Sequence, residues 1–191
     1  MRGGKKGFGY DALTLCLVPG LTMGLASLDS WFSSNLSLVG NGAGGRVAFA
    51  AWGLAAGAYY IGYTLYLFRL GGYEGAAGRG LAFAAGGFLV TAVLIPYAPG
   101  SDPEQAALHV LLAFLSPILF ALSMIVFLCH LSRGSGGRFR HAWILMGFLA
   151  GGALVLLWEA GFITSLLEIF LVAGLCGFLR YMEEALKKGE D

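Results

Sequence analysis

Asp102-Pro103-Glu104-Gln105-Ala106-Ala107-Leu108-His109 opens an apolar run that continues to Arg133. The opening reads as a helix start. Asp102 fits the N-cap and Pro103 the first helical position, and Gln105 fits the third, reaching back to the cap. His109, Ser116, Ser123 and His130 then recur every seven residues in an otherwise apolar sequence. Seven residues turn a helix by about 700°, so the four form one slowly drifting stripe. At about 1.5 Å per residue the stripe is roughly 32 Å long, close to the ~30 Å hydrocarbon core of a bilayer. The spacing predicts a membrane-spanning helix with one polar seam turned toward its neighbours.

The rest of the composition agrees. Of 191 residues, 58% are hydrophobic and 12% charged, and the mean hydropathy is +0.76. An average soluble domain is about 45–50% apolar and 25% charged. Six apolar stretches emerge, at about 11–28, 46–70, 79–98, 103–132, 142–158 and 165–182, within a single transmembrane domain covering 1–191. The expected fold is an all-α bundle of six membrane-spanning helices, with a partly ordered first outer loop.

Charge sets the expected orientation. If six helices alternate, Arg2, Lys5, Lys6, Arg69, Arg79, Arg133, Arg138, Arg140, Arg180, Lys187 and Lys188 share one side, and Arg46 alone takes the other. Basic loops resist translocation, which puts both termini in the cytoplasm of a multi-pass cell-membrane protein. Asp29, Asp102, Glu104 and Glu159 then lie outside. Met1–Lys6 with Leu25-Ala26-Ser27 also matches a signal peptide and its cleavage site, and the Pro19-Gly20 break suits either reading.

Several local patterns carry expectations about packing. Gly20/Gly24, Gly53/Gly57 and Gly147/Gly151 are GxxxG pairs, which let helices approach closely where lipid supplies no hydrophobic drive. Tyr59, Tyr63 and Tyr66 share one face of the second stretch, as a packing stripe or as the wall of a polar cavity. Pro117 removes a backbone donor inside the fourth stretch, and Ser116 beside it back-bonds to its own helix or faces a cavity. Ser165-Leu166-Leu167-Glu168 reads as a capping box, with Glu168 returning to the Ser165 amide. The loop from Asp29 to Gly45 interleaves Trp31, Phe32, Leu36 and Leu38 with serines, as a segment folded over the helix ends would.

Chemistry gathers on the outer side. His109 lies about 10 Å along its helix from the N-cap, with Asp102, Glu104, Glu159, Glu168, Asp29, Ser33 and Ser34 on nearby loops and helix ends. A histidine among carboxylates serves as a metal ligand, a general base, a proton-linked switch or a pin for the outer cap. A ligand site would draw on His109, Ser116, Tyr59, Tyr63, Tyr66, Ser33, Asp29 and Glu168. A membrane-embedded hydrolase or transferase would use His109 with Asp102 or Glu159. No metal motif, nucleotide-binding loop or nucleophile elbow is present, so no metal and no cofactor is expected. Cys16, Cys129 and Cys176 lie singly in apolar stretches and read as small hydrophobes.

The order of these features resembles a known pattern. Asp29, then Ser33-Ser34-Asn35-Leu36-Ser37, follow the first stretch; Ile95-Pro96 ends the third ahead of Asp102; His109 precedes Ala113-Phe114, and Gly161 precedes the last stretch. This resembles a bacterial and archaeal six-helix membrane family of unknown function, and is more distantly similar to the Frag/DRAM/Sfk membrane proteins, some of which are associated with lipid-anchor remodelling and lipid organisation. The resemblance implies that Asp102 and His109 take the family's acidic-loop and histidine positions, and Ser33 or Ser34 its loop serine. Gly40 to Gly45 departs from it.

The expected function is to bind a lipid or amphipathic small molecule in an outward-facing vestibule around His109, with the tyrosine face as one wall. A small-solute transporter or transporter subunit is the second reading, and the membrane-embedded enzyme the third. The partners implied are membrane lipid, the amphipathic ligand, and a second copy or a membrane subunit on the glycine-rich faces. Nothing points to nucleic acid.

Overall fold

The computed structural model describes residues 12–42, 44–133, 135 and 137–188. The basic Arg2, Lys5 and Lys6, the expected helix start at residue 11 and the final residues 189–191 lie outside them. Seven helices and no strand are present among the described residues. They are α1 (Leu13–Ala26), whose first turn Leu13–Leu17 is wound as a π-helix, α2 (Leu36–Asn41), α3 (Gly45–Leu70), α4 (Ala76–Leu94), α5 (Pro103–Ser132), α6 (Arg140–Ala160) and α7 (Ser165–Lys187). Helices α4, α5, α6 and α7 are long and apolar enough to cross a membrane. Helix α3 has 26 residues but is not among them. Its tyrosines lower its hydropathy, and Tyr59, Tyr60 and Tyr63 are buried.

The helix starts follow from local chemistry. Asp102 caps α5, accepting from the Gln105 amide at 3.0 Å. Gln105 does not return the bond, because the Asp102 amide already donates to the Ala98 carbonyl at 2.9 Å. Helix α4 stops at Leu94, four residues short of the expected end. Ile95 precedes Pro96 and is forced out of the helical region, at φ −79° and ψ 126°. Helix α7 runs five residues further than expected, its last turns laced by Arg180–Glu183, Arg180–Glu184 and Lys187–Glu183 ion pairs. Helix α5 continues through Pro117 without interruption.

The polar seam of α5 is used on one partner. His109 Nδ1 meets the Ala92 carbonyl at 2.7 Å, Ser116 Oγ donates to Ala85 O at 2.9 Å, and Ser123 Oγ donates to Gly78 O at 2.8 Å. Acceptors on α4 fall seven residues apart, as the donors on α5 do, so the two antiparallel helices are fastened in one register. At the far end the His130 ring stands edge-on to Tyr73 at 5.2 Å.

Of the three GxxxG pairs, one makes a close helix contact. A Cβ on Gly53 would lie 2.3 Å from a Val93 methyl, and one on Gly57 2.9 Å from Val90. Gly20, Gly24, Gly147 and Gly151 have open space where a Cβ would stand. Helix α6 packs on α7 but touches α5 little. It buries the smallest share of its apolar stretch, 17% against 28–33% in the other three.

Gly53→Ala is expected to destabilise the detergent-solubilised protein by about 1–3 kcal/mol, because the added methyl would overlap the Val93 side chain and force it or its helix to shift. Gly24→Ala is expected to change stability by about 0.5 kcal/mol or less. Thermal unfolding of the two variants side by side checks the assignment.

Candidate functional site

The segment between α1 and α3 folds over the helix ends that carry Asp102 and Glu168. Asn35 caps α2 by accepting from the Leu38 amide at 2.9 Å, and its Nδ2 donates to Ile163 O at 3.4 Å. The amides of Ser165 and Leu166 donate to the carbonyls of Ser34 and Trp31, at 2.8 and 2.9 Å. On the opposite flank Asn41 Nδ2 donates to Tyr97 O. Leu36 is fully buried beneath. The segment is therefore a lid bonded both to the α4–α5 connection and to α7.

Glu168 belongs to this lid rather than to a capping box. Thr164, one residue before the expected cap, accepts from the Leu167 amide at 3.2 Å, and the Ser165 amide is spent on Ser34. The Glu168 carboxylate instead reaches across, Oε2 accepting from the Leu36 amide at 2.8 Å. It satisfies a donor at the start of α2 that has no partner within its own helix.

His109 is 2% exposed and fully engaged. Nδ1 faces two carbonyls, Ala92 at 2.7 Å and Ile95 at 3.0 Å, so the proton resides there. Nε2 then accepts from the Ser37 hydroxyl at 2.7 Å. Ser37, on the first turn of α2, is the serine that meets the histidine. Ser33 is exposed in a turn, its amide 3.3 Å from Ser30 Oγ. Asp29 is exposed too, its Oδ1 accepting from the Ser30 amide at 2.7 Å.

Two connected chambers lie under the lid. The larger, about 390 Å³, is apolar and bounded by α3 through α7, with Tyr60 and Phe120 packed edge-to-face at 5.3 Å on its wall. It opens sideways between α5 and α6, where Phe114, Ile118 and Leu154 both line it and are exposed. The smaller, about 310 Å³, lies among Asn35, Ser37, Tyr97, His109, Phe162 and Glu168. Ser37, His109 and Glu168 line both. Pro117 also lines the larger chamber, and so does Ala113, whose carbonyl the proline leaves without its usual helical donor.

The expected site residues divide on this geometry. His109, Ser116 and Glu168 line the chambers. Ser116 neither back-bonds nor is free, since it donates to α4. Tyr59, Tyr63 and Tyr66 are not on the cavity wall. Tyr59 shares a hydrogen bond with Thr14 Oγ1 at 2.8 Å. Tyr63 and Tyr66 donate to Glu183, a 5% exposed carboxylate held also by Arg180 and Lys187. The stripe thus faces α1 and the far end of α7, and Tyr60, one residue out of phase, is the α3 tyrosine that reaches the larger chamber. Asp29 and Ser33 line neither chamber, nor do Asp102 and Glu159. Both ring nitrogens of His109 are committed to Ala92, Ile95 and Ser37, and Asp102 Oδ1 accepts from the Gln105 amide, so the expected His109–Asp102 pair is not formed. No group of three or more metal-ligating side chains occurs among the described residues.

Sequence reasoning missed Ser37 and Tyr60. Ser37 had a signal, as the residue two beyond the Asn35 cap and therefore on the first turn of a helix. Comparison with protein families, with curated proteins and with solved structures finds no match to this chain.

Removing the Ser37 hydroxyl leaves His109 Nε2 buried without a partner, so Ser37→Ala is expected to cost about 1–2 kcal/mol. Ser33→Ala, in the exposed turn, should stay within about 0.5 kcal/mol. Thermal midpoints in detergent distinguish the two serines.

Proposed function

We propose that this is a multi-pass membrane protein that binds a lipid or other amphipathic molecule in the two chambers, its chain in the apolar one and its head group under the lid. The observation that carries the reading is the junction of the two chambers at Ser37, His109 and Glu168. An amphipathic molecule needs this succession of surfaces, apolar and then more polar along one path. The larger chamber falls within the ~300–1,000 Å³ range of small-molecule sites.

Six spans and cytoplasmic termini complete the proposal. Helix α3, at about 1.5 Å per residue, has length enough to cross, and its tyrosine hydroxyls are turned to protein acceptors rather than to the outside. The distribution of the twelve Lys and Arg residues, eleven against Arg46, supports the orientation. The lid then faces the outside of the cell.

Two experiments test this. Ala153→Trp places an indole in the larger chamber and is expected to cut co-purified lipid, read by native mass spectrometry, by at least about half, because filling a pocket of this size leaves no room for a chain. Trp158→Ala, on the outward face of α6 at 86% exposure, should leave it unchanged. Equal lipid content in both variants sinks the binding reading. For orientation, single cysteines at Ser101 and Ser135 in a cysteine-free background are exposed to an impermeant thiol reagent on intact cells. Ser101→Cys should react and Ser135→Cys should not.

A further inference from the structure

We infer that the pocket takes an amphiphile whose head group donates hydrogen bonds, an alcohol or an amine, and rejects one whose head group is an anion. This rests on the binding site proposed above and adds the chemistry of its mouth.

The mouth has an acceptor left over. Glu168 Oε2 is spent on the Leu36 amide. Its Oε1 has no hydrogen-bond partner among the described residues, and the side chain lines both chambers. A carboxylate oxygen only accepts, so a donor on the ligand completes it.

The backbone amides, His109 and Ser37 at the mouth have their donors used, and the donors left there, the Tyr97 hydroxyl and the second Asn35 amide hydrogen, carry no charge. His109 Nδ1 faces the Ala92 and Ile95 carbonyls, and the Ser37 hydroxyl faces His109. Helix α7 begins beside the chambers, and a helix start is where an anion would otherwise dock. Its amides are occupied: Ser165 and Leu166 by lid carbonyls, Leu167 and Glu168 by Thr164. No lysine or arginine lines either chamber. Arg46, the basic side chain described at this end, donates to the Leu94 carbonyl. A phosphate or carboxylate head would meet the Glu168 carboxylate with no cation on the chamber walls to offset it.

Trp52 lines the larger chamber, and it becomes the sole reporter when Trp31, Trp143 and Trp158 are changed to Phe. In nanodiscs the probes are dibromostearyl alcohol, dibromostearylamine and dibromostearic acid, at about pH 9, where the acid is ionised and the amine still protonated. Saturable quenching is expected from the alcohol and the amine, with the acid at least tenfold weaker. An amine tighter than the alcohol identifies ion pairing with Glu168, and equal affinities identify the hydrogen bond alone. Glu168→Gln still accepts from Leu36 but turns a donor into the chamber, and should shrink the amine-to-acid preference at least tenfold while the alcohol still binds. An acid that quenches as well as the alcohol, or a preference untouched by Glu168→Gln, overturns the inference and leaves the pocket standing. Absence of saturable quenching by all three defeats the pocket itself.

Discussion

Side chain to backbone hydrogen bonds between α5 and α4 hold the rest in place. In a helix each carbonyl already accepts one bond and keeps a second lone pair. His109, Ser116 and Ser123 spend their donors on those spare lone pairs at Ala92, Ala85 and Gly78. Such bonds between membrane helices are worth about 1 kcal/mol each, which is modest as stability. Their larger effect is on register, since sliding α5 by one residue would break all three at once. Register fixes where the Asp102 end of α5 stands relative to the Pro96 bend, and that decides where His109 can meet the lid.

The lid in turn depends on that fixed platform. Ser37 can sit on Nε2 only because Ala92 and Ile95 hold the proton on Nδ1 and orient the ring. On the other flank the lid spends its carbonyls on the α7 amides and receives a carboxylate in exchange. Two helix starts, α2 and α7, thereby satisfy each other's unpaired donors, in a place where water would be the only alternative. The chambers are roofed by a segment that has almost no regular structure of its own beyond the six residues of α2.

Periodicity along one helix was legible in the residues themselves. Asp102-Pro103 marks a boundary by local chemistry, and a seven-residue recurrence of polar groups in an apolar run has few explanations besides an interhelical seam. The Pro96 end was legible too, though the helix yields before the proline rather than at it. What the sequence could not disclose is which neighbour takes each bond. Glu168 has the spacing of a capping box, yet the Ser165 amide went to a loop 131 residues away in sequence, and the carboxylate followed a different donor. The tyrosines show the same ambiguity. Tyr59, Tyr63 and Tyr66 do share a face, but only the position of Glu183 and Thr14 tells that this face is turned from the cavity. The GxxxG pairs are alike in sequence, and a Val93 or an empty space opposite decides which of them packs.

The larger chamber follows from small side chains at one depth on four helices. Ala56 on α3, Ala85 and Gly86 on α4, Ala113 on α5, and Ala150 and Ala153 on α6 all border it. Any one of these serves close packing elsewhere in a helical membrane protein; meeting at one depth, they leave a gap that their backbones cannot close. Helix α4 cannot shift to fill it, being fastened to α5 and wedged on α3 by Gly53 and Gly86, where an added Cβ would lie 2.3 Å from Val93 and Ile61. An empty apolar void of about 390 Å³ would cost roughly 9 kcal/mol at ~24 cal/mol per Å³. That is on the order of the whole stability of a folded domain, about 5–15 kcal/mol. A single Ala→Leu change at Ala150 or Ala153, on the helix that packs least, would lower that cost. The opening between α5 and α6 removes the cost another way, by letting hydrocarbon in from the side, so the void and its side opening are physically one feature.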